Sequence, residues 1–222
     1  MLDSDLNHVV GFCGFKGSGK DTSADHLVEC FGYDKLSLAT PIKEACKAVF
    51  GFPDEHLWGS SDLREIQDER YVFSGLDPVD GTPLREVSIS EAKWWLRESD
   101  EEYFPRCLNP RLALTSMGTE WGRRLNDNIW VYSCLNLVRT GDQPLVTIPD
   151  VRFKNELSAI QGAGGKVVRL LRGGRKSNHP SELELESIPL SSFDFVIDNN
   201  GPKEFLFEEL NELMSEILQP FR

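Results

Sequence analysis

A glycine-rich segment near the start of this 222-residue chain constrains its fold more than any other feature. Gly14, Gly19 and Lys20 satisfy the pattern G-x-x-x-x-G-K. An apolar run at Val9 to Cys13 precedes the segment, and a helical pattern at Ser23 to Cys30 follows it. Glycines let such a loop turn tightly and direct backbone N–H groups at a phosphate, while the helix N-terminus adds its positive dipole. The segment therefore predicts a nucleotide phosphate-binding loop, whose lysine reaches the β and γ phosphates.

Apolar runs and helical patterns alternate along the rest of the chain. Most of the runs lack strict polar alternation, as parallel strands covered on both faces do. The predicted strands are Val9 to Cys13, Leu36 to Ala39, Leu145 to Ile148, Val167 to Leu171 and Phe193 to Ile197. Between them, helices are predicted from Thr40-Pro41 to Phe50, at Arg111 to Met117 after Asn109-Pro110, at Phe153 to Ala163, and around Leu206, Leu210, Leu213, Met214 and Ile217. This order predicts an α/β protein with a five-stranded parallel sheet.

One region interrupts the alternation. Residues 54–102 carry 14 acidic and 5 basic side chains, and they include a turn-rich stretch at Gly75 to Gly81. Trp94 and Trp95 lie there in a short helical pattern and are expected to form a local core. We predict that residues 1–53 and 106–222 form the core domain and that residues 54–105 are an acidic, mostly helical insertion.

The charge balance excludes some partners. With 24 Lys and Arg against 36 Asp and Glu, the net charge of −12 argues against nucleic-acid binding and against an anionic membrane surface. No apolar run approaches the roughly 20 residues of a spanning helix, and the N-terminus lacks the basic start of a secretory signal. Five scattered cysteines without a C-x-x-C pair predict reduced thiols and a cytoplasmic protein, in the host cytoplasm if the source is a phage.

The residue after the loop lysine departs from the usual Ser or Thr. It is Asp21, with Thr22 behind it. Asp21 could ligate Mg²⁺ directly or through water, because hard cations favour carboxylate oxygen. Thr22 could instead contact a phosphate. Small nucleotide kinases often carry a non-hydroxyl residue here followed by Thr, so the departure points toward kinases and away from GTPases or motor ATPases.

A second group of residues follows the predicted third strand. Asp150 and Arg152 come at its carboxyl end, where ligands bind in open α/β sheets. Arg152 and Glu156 are four residues apart at a helix start and can pair. Asp150 could accept a proton, hold magnesium through water, or bind a sugar hydroxyl.

The strongly basic stretch holds Lys166, Arg169, Arg172, Arg175 and Lys176, with no acid among residues 166–176. We predict that residues 172–182 form a lid-like loop that closes over phosphates and neutralises transferring charge. Arg111 and the pair Arg123-Arg124 are further candidates, because an anionic acceptor requires such guanidinium groups.

Taken together, these motifs resemble the phage-type deoxynucleoside monophosphate kinases, a branch of the P-loop nucleotide kinases. The matching segments follow the family's order over roughly residues 9–200. They are Gly14 to Thr22, Pro41-Ile-Lys43, Gly118-Thr-Glu120 with Trp130, Pro149-Asp-Val-Arg152 with Glu156, and Lys176-Ser-Asn178 leading to Ser181-Glu182. The insertion has no such match.

The resemblance implies a three-layer α/β/α P-loop kinase fold and transfer of the γ-phosphate of ATP, with Mg²⁺, to a deoxynucleoside 5′-monophosphate. The implied donor site comprises Gly17, Ser18, Gly19, Lys20, Asp21, Thr22 and Arg175. The implied acceptor site comprises Lys16, Lys43, Arg64 (or Arg70), Arg111, Gly118, Thr119, Trp130, Asp150, Arg152 and Glu156. Lys20, Asp150, Arg152 and Arg172 would act on the reacting groups. Kinases of this kind are commonly monomers or dimers, so a homodimer is one expectation.

Two other functions stay open at this point. A kinase for another small phosphorylated acceptor, such as dephospho-CoA or phosphomevalonate, would carry a similar donor loop and similar arginines. A nucleotide-binding regulator without transferase activity would need no acceptor site, and the pairing of Asp150 with Arg152 counts against it.

Overall fold

The computed structural model describes residues 6–73, 81–82, 107–173 and 180–218, the side chains of residues 180 and 181 excepted. Trp94 and Trp95, and Arg175 and Lys176 of the basic loop, lie outside these ranges. Within the ranges, every helix is too short or too polar to cross a lipid bilayer.

Five parallel strands form one sheet in the order β2-β3-β1-β4-β5. The strands are β1 (Val9–Cys13), β2 (Asp34–Lys35), β3 (Val146–Val151), β4 (Lys166–Leu171) and β5 (Phe195–Asp198). The helices are α1 (Lys20–Phe31), α2 (Thr40–Phe50), α3 (Asp54–Trp58), α4 (Pro110–Thr115), α5 (Ile129–Thr140), α6 (Lys154–Gly162), α7 (Pro180–Ser187) and α8 (Lys203–Leu218). Two 3₁₀ turns, Ser61–Glu65 and Leu190–Ser192, and a π-helix, Ser116–Arg123, complete the described elements.

The three central strands, β1, β3 and β4, are buried on both faces of the sheet, as their continuous apolar runs predict. Successive side chains of a strand point to opposite faces, so Val9 and Cys13 lie on one side of β1 while Val10 and Phe12 lie on the other. The first side packs against α5, α6 and α7, and the second against α1 and α8. These layers confirm the predicted three-layer α/β/α class with its five-stranded parallel sheet.

The second strand differs from its prediction. It spans Asp34–Lys35 instead of Leu36 to Ala39, and Leu36 adds one last backbone bond by donating to the Thr147 carbonyl. The backbone N–H of Leu38 then donates to the Asp150 carboxylate, 3.0 Å away, and not to the neighbouring strand. The prediction of a strand at Leu36 to Ala39 was therefore wrong, because a side chain of β3 takes over the pairing, and Leu38 is the buried residue of this run.

Smaller differences concern the ends of elements. Helix α2 begins at Thr40 with Ala39 as its N-cap, so the prediction of Thr40 as the cap was one residue off. Strand β5 begins at Phe195 and not at Phe193, whose side chain is buried with the α5–α7 layer. The Asn109 cap is confirmed: its side chain accepts from the Leu112 N–H at 2.8 Å.

The chain divides into two compact units, Met1–Leu38 with Val131–Arg222, and Ala39–Trp130. The first contains the whole sheet. The second has a core of its own, in which Cys46, Phe52, Leu57 and Ala113 are buried. This unit is wider than the predicted insertion, since it also takes in α2 and the segment from α4 to Trp130.

Four of the five free cysteines are buried, and Cys30 is exposed. Burial raises the pKa of Cys13 and that of Cys46 to about 11 each, so their reactive thiolates are scarce at neutral pH. We expect a thiol reagent such as DTNB to modify one cysteine of the native protein and all five after denaturation. Cys30→Ser should abolish the native reaction, and a fast-reacting thiol in that variant would contradict the assignment.

Candidate active site

The loop between β1 and α1 has the backbone of an anion-binding loop. Gly17 has a φ of +80° and Gly19 a φ of +101°, in the left-handed region that favours glycine. The loop ends at α1, whose first residue is Lys20 and whose N-terminus carries a positive partial charge. The N–H groups of a helix start and this dipole together favour a bound phosphate.

Lys20 is half-buried beneath the same loop. Its Nζ donates to the carbonyls of Gly14, at 2.7 Å, and Phe15, at 2.8 Å. Burial lowers the pKa of Lys20, and the positive charge of Arg152 lowers it further. The ammonium is therefore held among backbone oxygens in a place where a phosphate oxygen would be a more favourable partner.

A cleft of about 640 Å³ opens at the carboxyl ends of β1 and β3. It brings together the predicted donor and acceptor sides within the first unit. Its lining residues are Gly14, Lys16, Gly17, Lys20, Asp21, Pro149, Asp150, Arg152, Glu182 and Leu185. Six of the residues predicted for the site thus line one cavity, although residues 17 and 150 are far apart in the sequence.

Asp150 lies near the end of β3, and its position is fixed by the segment that follows β2. Its Oδ2 accepts from the Ser37 hydroxyl at 2.6 Å, and its Oδ1 accepts from the Leu38 N–H at 3.0 Å. A carboxylate has about four acceptor positions, so capacity for a ligand or a cation is left on both oxygens.

The Glu156 side chain contacts Arg152 at its backbone N–H group. Glu156 is buried, and its Oε2 accepts from the N–H groups of Arg152, at 2.8 Å, and Phe153, at 3.1 Å. This carboxylate caps the N-terminus of α6. The Arg152 side chain is exposed at the cleft, with its backbone held by Glu156.

Asp21 also lines the cleft, and it pairs with Lys35 at 3.2 Å, a lysine shared with Asp25 at 2.9 Å. The described residues contain no preformed cluster of three or more His, Cys, Asp or Glu. The oxygen donors of Asp21 and Asp150 around one cleft suit Mg²⁺, which binds through few carboxylates plus substrate phosphates.

The basic stretch does not act as one surface. Arg169 is 4% exposed within β4, and its guanidinium lies 4.8 Å from the Phe15 ring and 5.8 Å from the Phe193 ring. Lys166 pairs with Asp194 at 3.1 Å. Both residues belong to β4, in agreement with the predicted strand at Val167 to Leu171 for Arg169, and neither is part of the loop that follows. Arg172 follows β4 and is exposed.

Three residues that reach the site from elsewhere were given no role by the sequence reasoning. Glu182, which was predicted as the end of the lid-like loop at residues 172–182, lies instead in helix α7, and its Oε1 accepts from the Lys16 N–H at 3.1 Å. Asn199 Nδ2 donates to the Ser18 carbonyl at 2.9 Å, and Ser37 holds Asp150. Glu182 and Asn199 lie more than 160 residues from their partners, so no local spacing reveals them.

The other predicted acceptor residues belong to the second unit. Trp130 is buried, and its Nε1 donates to the Gly118 carbonyl at 2.7 Å inside the π-helix, while Thr119 is exposed. Arg111 pairs with Glu65 at 2.8 Å. The Lys43 Nζ lies 5.8 Å from the Trp58 ring, and Arg64 Nη2 donates to Gly59 at 3.4 Å.

Gly122 of the π-helix packs directly against Trp130, so a larger residue at this position should destabilise the fold. A Cβ on Gly122 would lie 2.4 Å from an indole carbon of Trp130. We expect Gly122→Ala to lower the free energy of unfolding by about 1–3 kcal/mol, as overpacking does. Gly162→Ala is the control, because nothing lies within 4 Å of its added methyl. That variant should gain about 0.4–1 kcal/mol in urea unfolding. Equal stability of the two variants would contradict the close packing.

Curated relatives match nearly the whole chain. A protein of Acanthamoeba polyphaga mimivirus, named as a deoxynucleotide monophosphate kinase, is 31% identical over 91% of this chain and 93% of its own length. The deoxynucleotide monophosphate kinases of Enterobacteria phage T4 and Escherichia phage RB69 are each 23% identical over 93% of this chain, and over 98% and 99% of their own lengths. No family model matches.

Among solved structures, a dephospho-CoA kinase from Campylobacter jejuni is 12% identical and aligns over 97% of this chain and 99% of its own, with a TM-score of 0.47. A likeness this low does not identify a substrate. The mimivirus relative does identify the family, and the phosphate-binding loop facing Asp150 and Arg152 agrees with it. The chain belongs to the deoxynucleotide monophosphate kinases.

Proposed function

We propose that this enzyme transfers the γ-phosphate of ATP to deoxynucleoside 5′-monophosphates, giving ADP and deoxynucleoside diphosphates for DNA synthesis. The observation that carries the proposal is the 31% identity to a relative of that name over nearly the full chain. The cleft supports it, because a phosphate-binding loop and a second cationic edge face the same cavity.

On the donor side, the N–H groups of residues 17–22 would bind the ATP phosphates. Lys20 would leave the carbonyls of Gly14 and Phe15 and move to phosphate oxygen, which is a stronger acceptor for an ammonium. The exposed Arg172, and Arg175 beyond it, would close over the same phosphates. Closure of this kind excludes water from the transferring group.

On the acceptor side, Arg152 would bind the monophosphate and hold it in line with the γ-phosphate. An acceptor phosphate is already an anionic nucleophile, so alignment and charge neutralisation do most of the catalysis. Asp150, held by Ser37 and Leu38, would then orient a sugar hydroxyl or a metal-bound water and need not take a proton.

Asp21 and Asp150 are the side chains we propose to hold Mg²⁺, directly or through water. The bound ion would neutralise charge on the β and γ phosphates. Because Asp21 is paired with Lys35, loading would separate that pair or proceed through water.

From the second unit, we propose that Lys43, Arg64, Arg111, Gly118, Thr119 and Trp130 bind the rest of the acceptor. We further propose a cytoplasmic location, because five free cysteines fit a reducing compartment. Homodimerisation stays a prediction.

The test is ADP release from MgATP measured against each common deoxy- and ribonucleoside monophosphate, with dephospho-CoA and phosphomevalonate in the same panel. We expect turnover with one or more deoxynucleoside monophosphates. Turnover on dephospho-CoA or phosphomevalonate with none on nucleotides would contradict the proposed acceptor and assign a different one to the enzyme. ATP binding without ADP formation on any acceptor would favour a regulator.

A further inference from the structure

Asn199 is a buried polar residue outside every motif of the sequence. It follows β5 directly and is 4% exposed. Its backbone N–H donates to the Leu171 carbonyl at 2.7 Å, which extends the pairing of β4 and β5 by one more bond. The side chain therefore starts from a rigid point at the carboxyl edge of the sheet, the edge that carries the phosphate-binding loop.

The side-chain amide of Asn199 holds one peptide of that loop. Its Nδ2 donates to the Ser18 carbonyl at 2.9 Å. Asn199 also packs closely against the next residue, Gly19. A Cβ added to Gly19 would lie 2.5 Å from the same Nδ2 atom, which is too close for a side chain. Gly19, at its left-handed φ of +101°, and Asn199 are thus fitted to one another.

This hydrogen bond orients the N–H groups of the loop. In a trans peptide the C=O and the following N–H point in opposite directions. A Ser18 carbonyl turned to Asn199 therefore turns the Gly19 N–H away from it, and that N–H belongs to the set proposed to bind phosphate. Without the amide, the peptide could rotate and present its carbonyl to the anion.

We propose that Asn199 is a positioning residue of the donor site, which holds the Ser18–Gly19 peptide in its phosphate-binding orientation. The inference rests on the proposed use of a nucleoside triphosphate. It requires a neutral donor at position 199. An aspartate there would face the Ser18 carbonyl with an oxygen and add a buried negative charge beneath an anion site.

Asn200 supplies a matched control. It is exposed, and its Oδ1 accepts from the Gly173 N–H at 2.7 Å, so Asn200→Asp keeps that acceptor. The same change removes an exposed hydrogen bond to Asp198, a contact that does not involve the loop. Asn199→Asp and Asn200→Asp place one added negative charge at neighbouring positions. The two variants thus carry the same added net charge, exposed to solvent and screened at position 200, and buried against the phosphate-binding loop at position 199. Asn200→Asp therefore controls for the change in net charge, and Asn199→Ala tests the hydrogen bond without any added charge.

The experiment measures ATP affinity by calorimetry, with inorganic tripolyphosphate as a second probe, and KM for the acceptor from initial rates. Loss of one buried hydrogen bond predicts about tenfold weaker ATP binding in Asn199→Ala, and charge repulsion predicts about a hundredfold in Asn199→Asp. The affinity of both variants for tripolyphosphate should fall by similar factors. The acceptor KM, and ATP binding by Asn200→Asp, should change less than about twofold.

Asn199→Ala keeps the test valid if the buried aspartate unfolds the protein. ATP binding within about twofold of wild type in Asn199→Ala would overturn the proposal. Equal losses of ATP and acceptor affinity would also overturn it, because they would indicate a general structural role. If wild-type protein binds neither ATP nor tripolyphosphate, the proposed function fails together with this inference. If it binds ATP but phosphorylates no deoxynucleoside monophosphate, only the acceptor assignment fails.

Discussion

Replacing Lys20 by Ala should lower kcat by two or more orders of magnitude, about 3 kcal/mol or more in transition-state stabilisation. The ammonium belongs to the first residue of α1 and is half-buried in the cleft, where two backbone carbonyls fix its position. In the proposed mechanism, the interaction of this ammonium with the transferring phosphoryl group would strengthen as charge develops, so the loss should fall mainly on kcat.

The same Lys20→Ala change that lowers activity should not lower the stability of the fold. Burial lowers the pKa of Lys20, which means that the folded protein disfavours its charged form. We therefore expect the free energy of unfolding of Lys20→Ala to equal or exceed that of wild type. Lys203→Ala is the matched control, because Lys203 is likewise the first residue of a helix, α8, but is exposed and does not line the cleft. It should keep wild-type turnover. Near-wild-type kcat in Lys20→Ala would remove Lys20 from the site.

The donor loop could be predicted because its determinants are local. A strand, a turn that needs glycine and a helix start follow each other within about 20 residues, and each has its own sequence signal. Strand β1 has its predicted bounds, and the left-handed Gly19 is one of the two glycines that the pattern requires, while the left-handed Gly17 occupies a variable position between them. Asp150 and Arg152 could be predicted for the cleft because the carboxyl ends of parallel strands share one edge.

The parts that could not be predicted depend on contacts between distant segments. Leu36 to Ala39 is as apolar as a strand, but the backbone N–H of Leu38 donates to the Asp150 carboxylate, and the pairing of β2 with β3 ends there. Arg169 lies within the predicted strand at Val167 to Leu171, but the packing of its guanidinium against the rings of Phe15 and Phe193 could not be predicted. Asp150 is distant in the sequence from Leu38, and both rings are distant from Arg169, so no local sequence pattern could predict these contacts.

The same holds for the residues that support the loop. Glu182 and Asn199 are single polar residues without a repeat or a spacing, and only the folded chain shows that they hold Lys16 and Ser18. Residues that we propose to bind the ligand are thus visible in sequence motifs. Residues that orient the binding groups are visible only after the sheet is assembled.

Arg152→Ala is the second change expected to lower turnover by two or more orders of magnitude, about 3 kcal/mol or more. The guanidinium lies exposed in the cleft on a backbone that Glu156 holds, so it can make a bidentate contact with a phosphate. Arg152→Lys should recover only part of the activity, because an ammonium keeps the charge and loses the two parallel donors. Lys154→Ala, an exposed lysine two residues away, is the control.

The pH dependence of this variant tests whether Arg152 and Lys20 share one cleft. Arg152 contributes to the lowered pKa of Lys20, and its removal should therefore raise that pKa. If deprotonation of Lys20 limits the rate at high pH, the alkaline limb of kcat/KM for ATP shifts upward in Arg152→Ala and stays in place in Lys154→Ala. Rates of Arg152→Ala and wild type that match at every pH would show that Arg152 takes no part in phosphoryl transfer.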